Sequence, residues 1–158
     1  MKFPVEAVAD TALIEVVRIS ALPAEQGAPY PGRTVAHWTG NEITGAMNLI
    51  ESLPDGRRHR CGFSPGWSIR AYELSLDLVL FEAAFCFSCH EIRMQGSAVP
   101  PALATQFFDA HSAPAQELLA LFRAGGPVTG RGDERSPGRQ LSRGAVTEGR
   151  TTGTARDR

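Results

Sequence analysis

Residues 78–87 read Leu-Val-Leu-Phe-Glu-Ala-Ala-Phe-Cys-Phe, with one charge in ten positions. In an extended chain, Val79, Phe81, Ala83, Phe85 and Phe87 fall on one side. Leu78, Leu80, Glu82, Ala84 and Cys86 fall on the other. A strand that is apolar on both sides needs strand neighbours and a covering layer on at least one face. The segment therefore predicts a central strand with helix packed over it, which restricts the chain to sheet-plus-helix architectures.

The surrounding sequence supplies the neighbours. Residues 67–73 alternate, with Trp67, Ile69 and Ala71 on one side and Ser68, Arg70 and Tyr72 on the other. Residues 91–95 follow the central strand after a short turn. Leu13–Ile19 is rich in β-branched residues and predicts another strand, with a helix after Asp10 as the rival reading. Val35 to Trp38 is a shorter candidate. Thr39 and Glu42 have capping-box spacing, with Thr39 bonding the Glu42 amide and Glu42 bonding back. Ile43, Ala46, Met47, Leu49, Ile50 and Leu53 then form an apolar helical face that stops at Pro54. A last helix is expected over 114–123, with Ser112 as N-cap, Leu118, Leu119, Leu121 and Phe122 buried, and Gly125-Gly126 as its end. The fold expected is α+β: an antiparallel sheet of three to four strands with one or two helices packed on one face.

Hydrophobic residues are 42% and charged residues 21% of the 158 positions, the ordinary balance of a globular chain that can bury a core. Residues 1–124 hold nine basic and thirteen acidic side chains, and 125–158 hold seven arginines and four acids. The first part is expected to be one domain. The second, rich in Gly, Arg, Thr and Ser, is expected to be a disordered tail, because it has little apolar surface to offset ordering entropy. A domain of net charge −4 is a poor match for a phosphate backbone, so nucleic acid is disfavoured as a partner. No apolar run reaches membrane-spanning length or secretory-leader character, so the expected setting is cytoplasmic, with reduced thiols and no membrane partner.

Two of the three cysteines lie in Cys86-Phe87-Ser88-Cys89-His90. This run matches the pattern of covalent c-type haem attachment, which takes place outside the cytoplasm, so haem is disfavoured. Zinc is more attractive. Cys61, Cys86, Cys89 and His90 offer three thiolates and an imidazole, a ligand set for a tetrahedral structural site. Adjacent Cys89 and His90 strain to share one ion, so three cysteines with His59 or water form an equal alternative. A redox pair is the third reading, disfavoured because such pairs open helices and this one follows a strand. In an uninterrupted strand Cys86 and Cys89 point to opposite faces, so either chemistry requires a turn or bulge near Phe87-Ser88. The bland reading, ranked first, is that the thiols are packed and structural.

Cys61-Gly62-Phe63-Ser64-Pro65-Gly66-Trp67-Ser68-Ile69-Arg70, followed by Cys86-Phe87-Ser88-Cys89, resembles an uncharacterised group of bacterial proteins, hypothetical proteins and lipoproteins among them. They share Cys-x-Phe-x-Pro-x-x-x-Ile-Arg and then Cys-Phe-x-Cys. The likeness covers residues 60–123, and Asp109 to Pro114 resembles the start of the group's last helix. It brings no established activity, but it places Cys61, Cys86 and Cys89 in the shared pattern and so implies zinc binding or a thiol role for them; His90 lies outside the pattern.

Arg57-Arg58-His59-Arg60 is the basic cluster of the first 124 residues, read first as a solvated loop and second as a receptor for a phosphate or acidic partner. Arg70 is expected to pair with Glu82 across strands. No nucleophile-elbow, P-loop or dinucleotide fingerprint occurs. The function expected is a non-enzymatic binding or interaction domain, with a protein partner as one candidate and structural thiols that zinc would reinforce. The alternative is a thiol-based redox or metal-dependent enzyme.

Overall fold

The structure is a computed structural model that describes residues 1–75 and 78–125. Its elements run α1 (Val5–Ala9), β1 (Leu13–Ile19), β2 (Gly32–Trp38), α2 (Asn41–Glu51), β3 (Trp67–Tyr72), β4 (Val79–Cys86), β5 (Glu91–Gln95), β6 (Thr105–Phe107) and α3 (Ala113–Ala124). A 3-10 turn, Pro101–Leu103, precedes β6. The six strands form one sheet in the order β2-β1-β3-β4-β5-β6, and every neighbouring pair is antiparallel.

The apolar run of residues 78–87 does lie inside the sheet, paired with β3 on one side and β5 on the other. One face carries the core. Val16, Ile69 and Ala83 align across β1, β3 and β4, and Phe85 sits opposite Trp67 and Ile92. Ile43, Met47 and Ile50 of α2 and Leu118 and Phe122 of α3 join the same cluster. Phe122 is an aromatic hub, its ring centroid 5.2–6.3 Å from those of Phe85, Trp67, Trp38 and Phe87. Burying such rings dominates core energetics, at about 25 cal/mol per Å² of apolar surface removed from water.

The sheet has six strands, not three to four. β6 escapes the sequence because three residues of mixed polarity after a double proline show no alternation. β2 begins at Gly32, earlier than Val35, and a register shift at Val16/Val17 accommodates it. Leu13–Ile19 is the strand, not the rival helix. The helix after Thr39 forms with half of its expected capping box: the Thr39 N–H donates to the Glu42 carboxylate at 3.0 Å, while Gly40 occupies the N-cap with φ 49°. The last helix ends as expected at Gly125, in the left-handed region. Beyond Gly125 the expected tail lies outside the described residues.

Candidate functional site

β4 and β5 are joined by a four-residue turn over residues 87–90, closed by the pair Cys86↔Glu91. Hairpin loops of this length need a residue at positive φ to bring the chain back. His90 fills that place at φ 58°, the non-glycine residue in the left-handed region among those described. The turn draws Cys86 and Cys89 together at one end of the sheet. Both are buried, and Ser88 Oγ bridges them at 3.3 Å from Cys86 Sγ and 3.9 Å from Cys89 Sγ. Cys89 donates its thiol proton to the carbonyl of Gly62 at 2.9 Å. Burial and the Cys89 side chain push the Cys86 thiol above its usual pKa, while the Ser88 hydroxyl and the N–H groups of Ser64 and Cys89 pull it down. The net rise keeps Cys86 protonated near neutral pH, and a protonated thiol is a weak nucleophile.

Gly62 and Ser64 belong to the loop of residues 57–66, which also carries Cys61 and the basic cluster. Cys61 is exposed, whereas Cys86 and Cys89 are not. His90 engages a different set of partners. Its ring lies 4.2 Å from that of His59 and 5.0 Å from that of His111, and its Nδ1 accepts the Ala110 N–H at 3.4 Å. Burial and the neighbouring His59 and His111 lower its pKa, against a smaller opposing effect of Asp109. The structure thus joins Cys86 with Cys89, and separately His90 with His59 and His111. Among the described residues no group of three or more His, Cys, Asp or Glu side chains is placed to hold a metal ion.

The sheet face opposite the core is polar and organised around one buried carboxylate. Glu82 Oε1 accepts from Ser68 Oγ at 2.9 Å and Arg70 Nε at 3.0 Å, and Oε2 accepts from the Tyr30 N–H and Gln95 Nε2, each at 3.0 Å. Arg70 continues to Glu15 at 3.2 Å and to the Tyr30 carbonyl at 2.6 Å. Burial alone raises the Glu15 pKa, but hydrogen bonds from Thr34 and Tyr72 and the Arg70 charge outweigh it, and the net shift is downward. The expected Arg70–Glu82 pair is therefore present, inside a larger network. Through Tyr30 and through Gln95, which donates to Ala28 O at 2.8 Å, this network ties down residues 28–30 of the β1–β2 connection.

Two of the clefts beside that connection share lining residues. One, of 460 Å³, is lined by Leu22, Pro23, Tyr30, Phe63 and Met94 among others. The other, of 960 Å³, is lined by Arg58, His59, Arg60, Cys61, Glu91 and Arg93 among others. Gln26 and Arg93 line both. Sequence reasoning missed the clefts and the histidine trio, because residues 59, 90 and 111 lie on separate loops with no common period. No protein-family model, curated protein or solved structure matches this chain.

Proposed function

We propose that the protein is a non-enzymatic binding or interaction domain in which Cys86 and Cys89 are structural thiols, fastening the 57–66 loop to the β4–β5 turn. The observation that carries this reading is the Cys89 thiol donating to Gly62 O, with the Ser64 N–H directed at Cys86. The loop is largely exposed, and the two buried thiols give its Gly62 carbonyl and Ser64 N–H fixed protein partners. The loop so held forms one wall of the 960 Å³ cleft, so the thiols act on binding by positioning Arg58 and Arg60. The upward shift at Cys86 speaks against a redox nucleophile there.

A soft-metal reading keeps one observation in its favour. Backbone N–H groups directed at the Cys86 sulfur are the kind of outer-shell support that a metal-bound thiolate uses. Cys86 and Cys89 would supply two ligands for zinc, and Cys61 would have to turn inward to give a third, with His59 or His90 completing the set.

Trypsin tests the fastening, because Arg57, Arg58 and Arg60 lie on the loop. Cys89→Ala is expected to speed cleavage at those sites about fivefold, equivalent to losing one hydrogen bond worth about 1 kcal/mol. An unchanged rate would refute it. About one zinc per chain, by native mass spectrometry of reduced protein, would move the conclusion to the metal reading.

A further inference from the structure

We propose that the two adjoining clefts form a single binding site for a small organic anion, an apolar ring-sized body with one carboxylate or phosphate head. The inference rests on the binding-domain reading and names its ligand class. Arg93 joins the compartments. Its guanidinium lies 4.1 Å over the ring of Phe63, and its Nε is held by Glu91 at 2.7 Å. Its terminal amino groups take no protein acceptor among the described residues. A guanidinium fixed by ring stacking and one carboxylate, with its outer edge free, is arranged for a planar or tetrahedral oxyanion.

Arg58 and Arg60 line the same mouth and make no ion pair among the described residues. The mouth therefore sets three guanidinium groups against the single carboxylate of Glu91. Beside it, sharing Gln26 and Arg93, the 460 Å³ compartment offers Tyr30 and Phe63, edge to face at 6.4 Å, with Pro23 and Met94 in the same lining. Its volume suits one ring, within the range of small-molecule sites. Glu25 at its rim disfavours a second negative group at the far end. Apolar body inward, single anionic head at Arg58, Arg60 and Arg93, is the arrangement these chemistries select.

The test is amide-resolved NMR titration of the full chain with phenyl phosphate and with benzoate, beside inorganic phosphate and benzyl alcohol as the separate halves. At least one whole ligand is expected to saturate, with shifts centred on Gln26, residues 58–61 and Arg93. It should bind about tenfold or more tighter than either half, because ring burial and charge-assisted hydrogen bonds add. The exposed pair Arg58→Gln/Arg60→Gln should weaken it about tenfold or more. Arg33→Gln, on the distant edge strand, should not. Whichever head binds better is the one the arginine cluster prefers. The proposal is overturned by no saturation up to about 10 mM, a bound weaker than about 3 kcal/mol. It is equally overturned if a half binds as tightly as the whole, or if the double arginine variant binds unchanged. Trypsin resistance of the loop, measured on the same sample, distinguishes failure here from failure of the fastening.

Discussion

Glu82→Gln removes one charge and keeps the shape of the side chain that organises the polar sheet face. The carboxylate is 3% exposed and accepts four hydrogen bonds. An amide supplies only one oxygen. If that oxygen serves Arg70 Nε and Ser68 Oγ, the new NH₂ group faces the Tyr30 N–H and the Gln95 amide, donor against donor. Ser68 rotates and Gln95 can flip at the loss of its bond to Ala28 O, but the Tyr30 N–H is fixed. At about 1–3 kcal/mol for each buried donor left unpaired, one to two such losses give about 1–6 kcal/mol. Arg70 keeps Glu15 at 3.2 Å, so its charge is not left unpaired and the cost falls in the lower half of that range. Urea unfolding reads the midpoint, and hydrogen exchange reads where the loss falls. Faster exchange should appear in residues 28–30 before the core strands. A midpoint within experimental error of the parent, or loosening confined to α2 and α3, would refute the claim that Glu82 anchors the β1–β2 connection.

His90 has a folded pKa below its usual 6.5, so the unfolded chain takes up more protons as the solution is acidified. Stability is thus complete above about pH 6.5 and falls below it, and His90→Gln should flatten that slope in urea titrations at pH 7.5 and 5.5. Glu15 titrates lower, with a folded pKa below 4.5, so its contribution is present above about pH 4.5 and is lost on further acidification. Trp38 is 1% exposed, and its Nε1 lacks a partner among the described residues. Trp38→Phe should therefore change stability by less than about 1 kcal/mol, the relieved donor offsetting lost volume, while Leu118→Ala in the same core costs about 2–5 kcal/mol. Thermal melts of the two variants side by side check the contrast. At Gly96, φ is 128° and an added Cβ would stand 2.7 Å from Leu80 O, so Gly96→Ala should cost about 1–3 kcal/mol by the same assay.

The parts of the fold legible in the sequence were those with a long, regular apolar pattern. β4 announces itself because ten residues carry one charge, and α2 and α3 because their apolar spacing ends at Pro54 and Gly125. β6 has no such pattern, being held by its pairing with β5. α1 is five residues long, with Ala7 its buried residue, too short for a period. Arg70–Glu82 was legible because cross-strand register follows once the strands are placed. The Tyr30 and Gln95 contacts were not, since they depend on how an irregular loop folds back across the sheet. For the cysteines, sequence posed the right question: whether residues 87 and 88 turn. They do, because His90 accepts a left-handed backbone where the hairpin needs one, and its ring finds support between His59 and His111.

The rate at which each thiol is alkylated in the folded, chelator-treated protein tests the structural role of Cys86 and Cys89 most directly. Cys61, exposed on the loop, should react at nearly the rate of a free peptide thiol. Cys86 and Cys89 should react about five-thousandfold more slowly or slower still, since access to them requires opening of the sheet end, close to global unfolding at 5 kcal/mol or more, roughly. Labelling of Cys86 or Cys89 as fast as Cys61 would contradict the account.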